Sequence, residues 1–164
     1  MSMRSKATGG TPAVQALEEI GVAFALHAYD FGGPKGGIAQ EAAGLMGVAP
    51  ARVLKTLMAL VNGRTLVVSL VPADRELNLK ALAAAVGGKR AEMADVRRAE
   101  RASGYVKGGI SPFGQRQSLP AVVDASVREH ASVFVNGGRR GLEIELTPDD
   151  LIGALDATVA PIAR

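Results

Sequence analysis

The chain has 164 residues, of which 48% are hydrophobic, 21% charged and 4% aromatic, and its formal net charge is +3. That length holds one real core and no second independent domain, so the expected layout is a flexible N-terminus over 1–10 and one folded domain over 11–164. With no Cys, and with His27 and His130 far apart, disulfides, thiolate metal centres and a cysteine nucleophile are excluded. The scarcity of aromatics likewise excludes a base-stacking platform.

No apolar run reaches the roughly 20 residues of a membrane span, and the polar start carries no apolar signal core. We therefore expect a cytoplasmic protein with no membrane partner, no metal and no cofactor. The mild basic surplus permits a polyanionic partner without requiring one.

In chain order, Thr11 before Pro12 reads as an N-cap with proline at the first helical position, and Ala13, Val14, Ala16, Leu17 and Ile20 recur at helical spacing up to Gly21. Val22 to Tyr29 alternates as a strand, with Val22, Phe24 and Leu26 on one side and His27 and Tyr29 on the other. The glycine-rich run Asp30 to Gly37 is expected as a loop, followed by a helix from Ile38 to Met46 that stops at Gly47. Ala51–Val61 and Arg64–Val71, separated by Asn62-Gly63, read as an antiparallel pair joined by a two-residue turn.

Within the first of these strands, Val53, Lys55, Leu57, Ala59 and Val61 share one face, which leaves one ammonium in an apolar row. Lys55 is either an edge lysine that snorkels to water or a cation aimed into a pocket, where it would serve as charge partner or proton donor.

Asn78 caps a helix that runs through Val86 to Gly87-Gly88, Lys89–Met93 is short and extended, and Asp95 caps a helix through about Ala102. Arg97, Arg98, Glu100 and Arg101 on that helix read as a solvated face. Next comes Gly108-Gly109-Ile110-Ser111-Pro112-Phe113-Gly114, which is either a surface turn or a main-chain cradle for a ligand.

Strands are expected at Pro120–Asp124, Ser132–Asn136 and Leu142–Leu146, with a helical turn near Ser126–Glu129 and the turn Gly137–Gly141 between the last two strands. In the third, the alternation sets Glu143 and Glu145 outward, as a wet sheet face unless one of them looks into the same cavity as Lys55. Thr147-Pro148 opens a final helix, and the tail Thr158–Arg164 adds one more strand. Short helices among hairpins, without regular β-α alternation, argue for a mixed α+β fold with a mostly antiparallel, barrel-like sheet.

Three separated segments carry a resemblance: Val53-Leu54-Lys55-Thr56-Leu57, the run Gly104 to Gln115, and the run Val135 to Ile144. Together they resemble the YbaK family of prolyl-tRNA-synthetase-associated deacylases, in register from about Thr11 to Arg164. The resemblance implies a free-standing trans-editing hydrolase that cleaves mischarged cysteinyl-tRNA(Pro). It binds the acceptor end of that tRNA, acts in transient complex with prolyl-tRNA synthetase, and uses no cofactor.

By the same resemblance Lys55 stands at the family's essential lysine; on physical grounds the main-chain N–H groups of Gly108 to Ser111 are expected to meet the developing oxyanion, which makes Gly108 and Gly109 candidate catalytic residues. Thr56 is similar to the cysteine-specific branch, where alanine-specific relatives carry Asn, and Tyr29 matches the pocket tyrosine. Asn136 stands where Ser is usual, Glu143 where Asp is usual, and Ile38 where an aromatic is common. Tyr105, Ile110, Ser111, Pro112 and Gly137 complete the implied substrate-binding set.

Since no Ser-His-Asp arrangement is apparent, the nucleophile is either water or the substrate's own thiol, and the thiol accounts for cysteine selectivity without a protein nucleophile. A deacylase for another small aminoacyl ester such as alanyl, and a non-catalytic module binding tRNA or synthetase, are the rival readings.

Overall fold

The computed structural model describes residues 10–30 and 38–164. The expected loose N-terminus and most of the Asp30–Gly37 loop lie outside the described residues.

Local signals in the sequence set the helix starts. Thr11 caps α1 (Pro12–Ile20) by accepting the N–H of Val14, and Gly21 ends it at φ 77. The same hydroxyl donates to the carbonyl of Gly137 at 2.5 Å, which ties α1 to a turn 126 residues away. Asn78 caps α3 (Leu79–Ala85), Asp95 caps α4 (Val96–Ser103) and Thr147 caps α5 (Pro148–Leu155), each through a side-chain oxygen accepting a main-chain N–H.

The strands form two sheets. β1 (Ala25–Ala28), β7 (Leu142–Leu146) and β6 (Val133–Asn136) make an antiparallel sheet in the order β1-β7-β6. The second has the order β4-β2-β3-β5-β8, built from β2 (Leu54–Val61), β3 (Thr65–Pro72), β4 (Ala91–Met93), β5 (Ala121–Asp124) and β8 (Thr158–Ala160). Its β4-β2-β3 half is antiparallel, whereas β3-β5 and β5-β8 are parallel.

Among the described residues the strands form two open sheets joined by a parallel bridge from Val53 to Phe134, so the barrel-like arrangement expected is not closed into a barrel. The parallel pairs arise because the irregular segment 104–120 carries the chain back to lay β5 beside β3 in the same direction. The expected tail strand is present as β8, followed by a bridge from Leu77 to Ala163.

The hairpin turn also differs in one residue from its expected form. Asn62 (φ 55) and Gly63 (φ 70) are both left-handed, as a primed turn requires, but Val61 pairs with Thr65. Arg64 is left out of the ladder, and the connection is three residues long.

The antiparallel sheet packs Leu142, Ile144 and Leu146 against α1 and α5 in the largest core, each side chain contributing about 1.5–3 kcal/mol. Val67, Val71, Leu82 and Ile162 form a second core on the other sheet. Ala42 and Ala43 of α2 (Ile38–Met46) pack on Val53 and Phe134 where the sheets meet.

Asp124, 2% exposed, holds the C-terminal segment by accepting the N–H groups of Ile162 and Ala163, both at 2.9 Å. Burial alone would raise its pKa, but these bonds and those from Ser126 outweigh it and hold the carboxyl below its ordinary value.

Candidate active site

β4 is only three residues long and covers β2 only at Ala59, Leu60 and Val61, its ladder ending where Ala94 N–H donates to the Met58 carbonyl. The edge of β2 before Met58 is thereby left open. The Val53–Phe134 bridge brings the end of β6 alongside that stretch, and the turn after α4 closes the third side.

The result is a cleft of about 320 Å³. Lys55, Thr56, Gly108, Ile110, Asn136 and Glu143 all line it, so residues from the three separated sequence segments converge on one space. Lys107, Met58, Met93 and Val96 line it too, and sequence reasoning missed them. Met58 and Met93 read as ordinary strand residues, and only the shortness of β4 exposes them to the cleft.

Glu143 faces Asn136 across the β6–β7 ladder, is 3% exposed and lines the same cleft as Lys55, so of the two readings open for it the cavity one holds and the wet face does not. Burial pushes its carboxyl up to about 8, with the Asn136 side chain pulling the other way. Its Oε1, the Tyr29 hydroxyl and the Thr56 Oγ1 are buried with no hydrogen-bond partner among the described residues. Native folds rarely leave such atoms unpaired, and sites built to meet a ligand are the usual exception.

Tyr29 stands close enough to feel Glu143: burial first, then that carboxylate, push its hydroxyl up to about 12. Glu145, two residues on along the same face of β7, is only half-buried. It accepts from His27 Nε2 at 2.8 Å and Arg52 at 3.3 Å, and from Ser132.

Lys55 is half-buried, and its amine donates to the carbonyl of Arg75 in the turn that follows β3. Across the cleft, Gly108 sits at φ 92, a left-handed backbone that favours glycine. At Gly109 the reason for glycine is close approach, since a Cβ there would stand 2.8 Å from the Arg139 Cα. The N–H of Gly109 is committed to the carbonyl of Val106 at 2.9 Å, so Gly109 does not act as a free donor. Gly108 and Ile110 line the cleft, and their N–H groups have no hydrogen bond among the described residues.

The remaining expected residues are not in the cleft lining. Tyr105 is buried, donates its hydroxyl to the Phe113 carbonyl at 2.6 Å and braces the glycine loop from behind. Ser111 is fully buried and accepts from Phe113 N–H at 3.2 Å, while Pro112 lines a separate groove beside α1. Gly137 packs against Leu142 and donates to its carbonyl at 2.8 Å. Ile38 opens α2, and its side chain lies outside the described residues.

Comparison with known proteins places this arrangement. The family profile described as an aminoacyl-tRNA editing domain matches residues 34–154. A protein of Enterococcus faecalis (strain ATCC 700802 / V583), provisionally named Cys-tRNA(Pro)/Cys-tRNA(Cys) deacylase EbsC, is 33% identical over 124 residues, which is 76% of this chain and 76% of that protein.

Among solved structures, the hypothetical protein APE2540 superposes with a TM-score of 0.82 at 25% identity, covering 93% of this chain and 99% of that one. A structure described as a candidate trans-editing enzyme for prolyl tRNA synthetase superposes with a TM-score of 0.83 at 24% identity, covering 99% of each chain, and at that identity it speaks for the fold alone. The chain belongs to the aminoacyl-tRNA editing domain family, the YbaK family that its three motifs resemble.

Proposed function

We propose that this protein is a trans-editing deacylase that hydrolyses the aminoacyl ester of cysteinyl-tRNA(Pro). The observation that carries this reading is one small cleft holding the Lys55 and Lys107 cations, a buried carboxyl and uncommitted main-chain donors, with no Ser, His or Cys among its described lining residues. Family membership and the name of the Enterococcus relative support it.

A synthetase pocket made for proline discriminates poorly against cysteine, since a difference of about one methylene is worth only roughly 1–3 kcal/mol. A second, hydrolytic site then removes the error. The ester is already activated, so the protein's task is to place it and stabilise the charge that develops.

In this reading Glu143 takes the substrate's α-ammonium, Thr56 Oγ1 contacts the cysteine sulfur, and the N–H groups of Gly108 and Ile110 receive the carbonyl oxygen as it gains charge. Lys55 leaves the Arg75 carbonyl and donates to the ribose oxygen. The substrate thiol gives its proton to solvent and the thiolate adds to its own carbonyl carbon; the bond from that carbon to the ribose oxygen breaks, the oxygen takes a proton from Lys55, and solvent returns a proton to the amine. Water then opens the resulting cyclic thioester to free cysteine.

A cleft of this size meets only the acceptor end, so tRNA identity comes from a transient complex with prolyl-tRNA synthetase in the cytoplasm. Deacylation of cysteinyl-, alanyl- and 2-aminobutyryl-tRNA(Pro) tests the reading. Cysteinyl-tRNA is expected to react at least about 100-fold faster than the 2-aminobutyryl ester, which has its carbon skeleton but no thiol. Equal rates for those two contradict thiol attack, and fastest cleavage of alanyl-tRNA contradicts the cysteine assignment.

A further inference from the structure

α4 stands between two depressions. Its Val96 and Ala99 line the cleft, while Arg97 and Arg101 line a neighbouring hollow of about 400 Å³ together with Arg116. Arg97 and Arg101 are one helical turn apart, so their side chains project from the same face. Arg116 reaches the same hollow from the segment after the glycine loop. Its N–H is fixed to the Ser103 carbonyl at 3.1 Å, and its side chain passes over Gly104, where an added Cβ would stand 3.0 Å from it.

All three arginines are exposed. The one acid in the hollow, Glu100, accepts the main-chain N–H of Lys107 at 2.8 Å, so its charge is drawn toward the turn that carries Lys107 to the cleft mouth. The face is thus a cationic ridge that begins at the cleft and runs away from it along one helix.

The geometry points to a phosphate-binding track: Arg97, Arg101 and Arg116 hold backbone phosphates of the tRNA acceptor arm while its aminoacylated end enters the cleft. This rests on the deacylase reading above and adds to it the surface on which the tRNA lies. Arginine suits the task because its planar fork pairs with phosphate oxygens in two-point contacts. A cleft lined largely by Leu, Met, Val and Ala side chains offers little grip on a polyanion, so the grip must come from outside it.

The test compares wild type with the Arg97→Gln/Arg101→Gln/Arg116→Gln variant on two substrates, cysteinyl-tRNA(Pro) and 3′-cysteinyl-adenosine, which has the same ester and no phosphates. The expected result is a fall of about tenfold or more in kcat/KM for the tRNA, mostly through KM, with cleavage of the adenosine ester unchanged. The salt dependence of kcat/KM for the tRNA should become shallower by about 2 in logarithmic slope, from about 0.7 per lost phosphate contact. Arg128→Gln, which removes an exposed arginine paired with Asp149 at 3.2 Å, should leave both substrates and the slope as they were.

Unchanged tRNA kinetics in the triple variant, or equal losses on both substrates, would overturn the track. A wild type that cleaves neither ester contradicts the deacylase reading itself. A wild type that cleaves both, with a triple variant equally good at both, contradicts only the track.

Discussion

Lys55→Ala is expected to lower the single-turnover rate of cysteinyl-tRNA(Pro) deacylation by about 10²–10³-fold, with the unfolding midpoint nearly unchanged. The rate falls because Lys55 is the cation that β2 offers the leaving ribose oxygen, whereas Lys107, the other lysine lining the cleft, enters from the turn after α4. Stability survives because the side chain is half-buried at the edge of an open cleft and, among the described residues, bonds only to the Arg75 carbonyl. Its loss creates no enclosed cavity, and changes of this kind stay within about 1 kcal/mol.

Lys55→Arg should rescue little, since a planar guanidinium is wider and cannot release a proton at neutral pH. Quench-flow deacylation with a parallel thermal melt checks both parts. A rate close to wild type with weakened tRNA binding would reassign Lys55 to a phosphate anchor and favour a non-catalytic binding module.

Glu143→Gln should separate stability from activity. The carboxyl titrates near 4.5 when solvated and is raised to about 8 in the fold. A raised pKa means that the folded state holds its proton more tightly than the unfolded chain. The stability this provides is fully present below about pH 4.5, declines as pH rises, and is gone above about 8.

Relative to wild type, the glutamine variant removes that decline. It should gain on the order of 3 kcal/mol at pH 7 and somewhat more at pH 9, against little at pH 4. Asp124 and Glu145, whose pKa values are lowered, act in the opposite direction and only in acid, as pH falls through their folded values. Their contribution therefore cancels in the comparison above pH 5.

Activity should move the other way. Without a carboxylate to meet the ammonium, kcat/KM for cysteinyl-tRNA is expected to drop by about 10–100-fold. Urea denaturation at pH 5, 7 and 9, with deacylation at pH 7.5, makes the comparison. A wild-type stability flat from pH 5 to 9, or a fully active glutamine variant, would remove Glu143 from the ammonium site. A buried carboxyl that costs stability at neutral pH is the trade-off expected of a residue kept for function.

How much of this was legible in the sequence differs between elements. Caps, hairpin and strand alternation are local signals, and Thr11, Asn78, Asp95 and Thr147 take the roles their neighbours imply. The parallel placement of β5 beside β3 was not legible, because it is decided by an irregular segment with no periodicity to read.

Glu143 stayed open between a wet face and the cavity of Lys55 for a related reason. Alternation sets which side of β7 it faces, but only the meeting of the two sheets decides that this side is covered. Lys55, Thr56 and Gly108 could be gathered through the family motifs. Met58 and Met93 could not, since their presence in the cleft depends on where β4 stops; Lys107 stands inside the second motif, but its place at the cleft wall follows from the turn after α4. The arginines of α4 read as a solvated face, and exposed they are; their position on the wall between cleft and hollow is a tertiary fact.

The most direct test of the central claim is a crystal structure with 3′-cysteinylamido-3′-deoxyadenosine, in which an uncleavable amide replaces the ester. The account predicts the ammonium at Glu143, the carbonyl oxygen toward the N–H groups of Gly108 and Ile110, and the Lys55 amine moved from the Arg75 carbonyl to the ribose side of the amide. An analogue bound outside the cleft, with Lys55 still on Arg75, would contradict it.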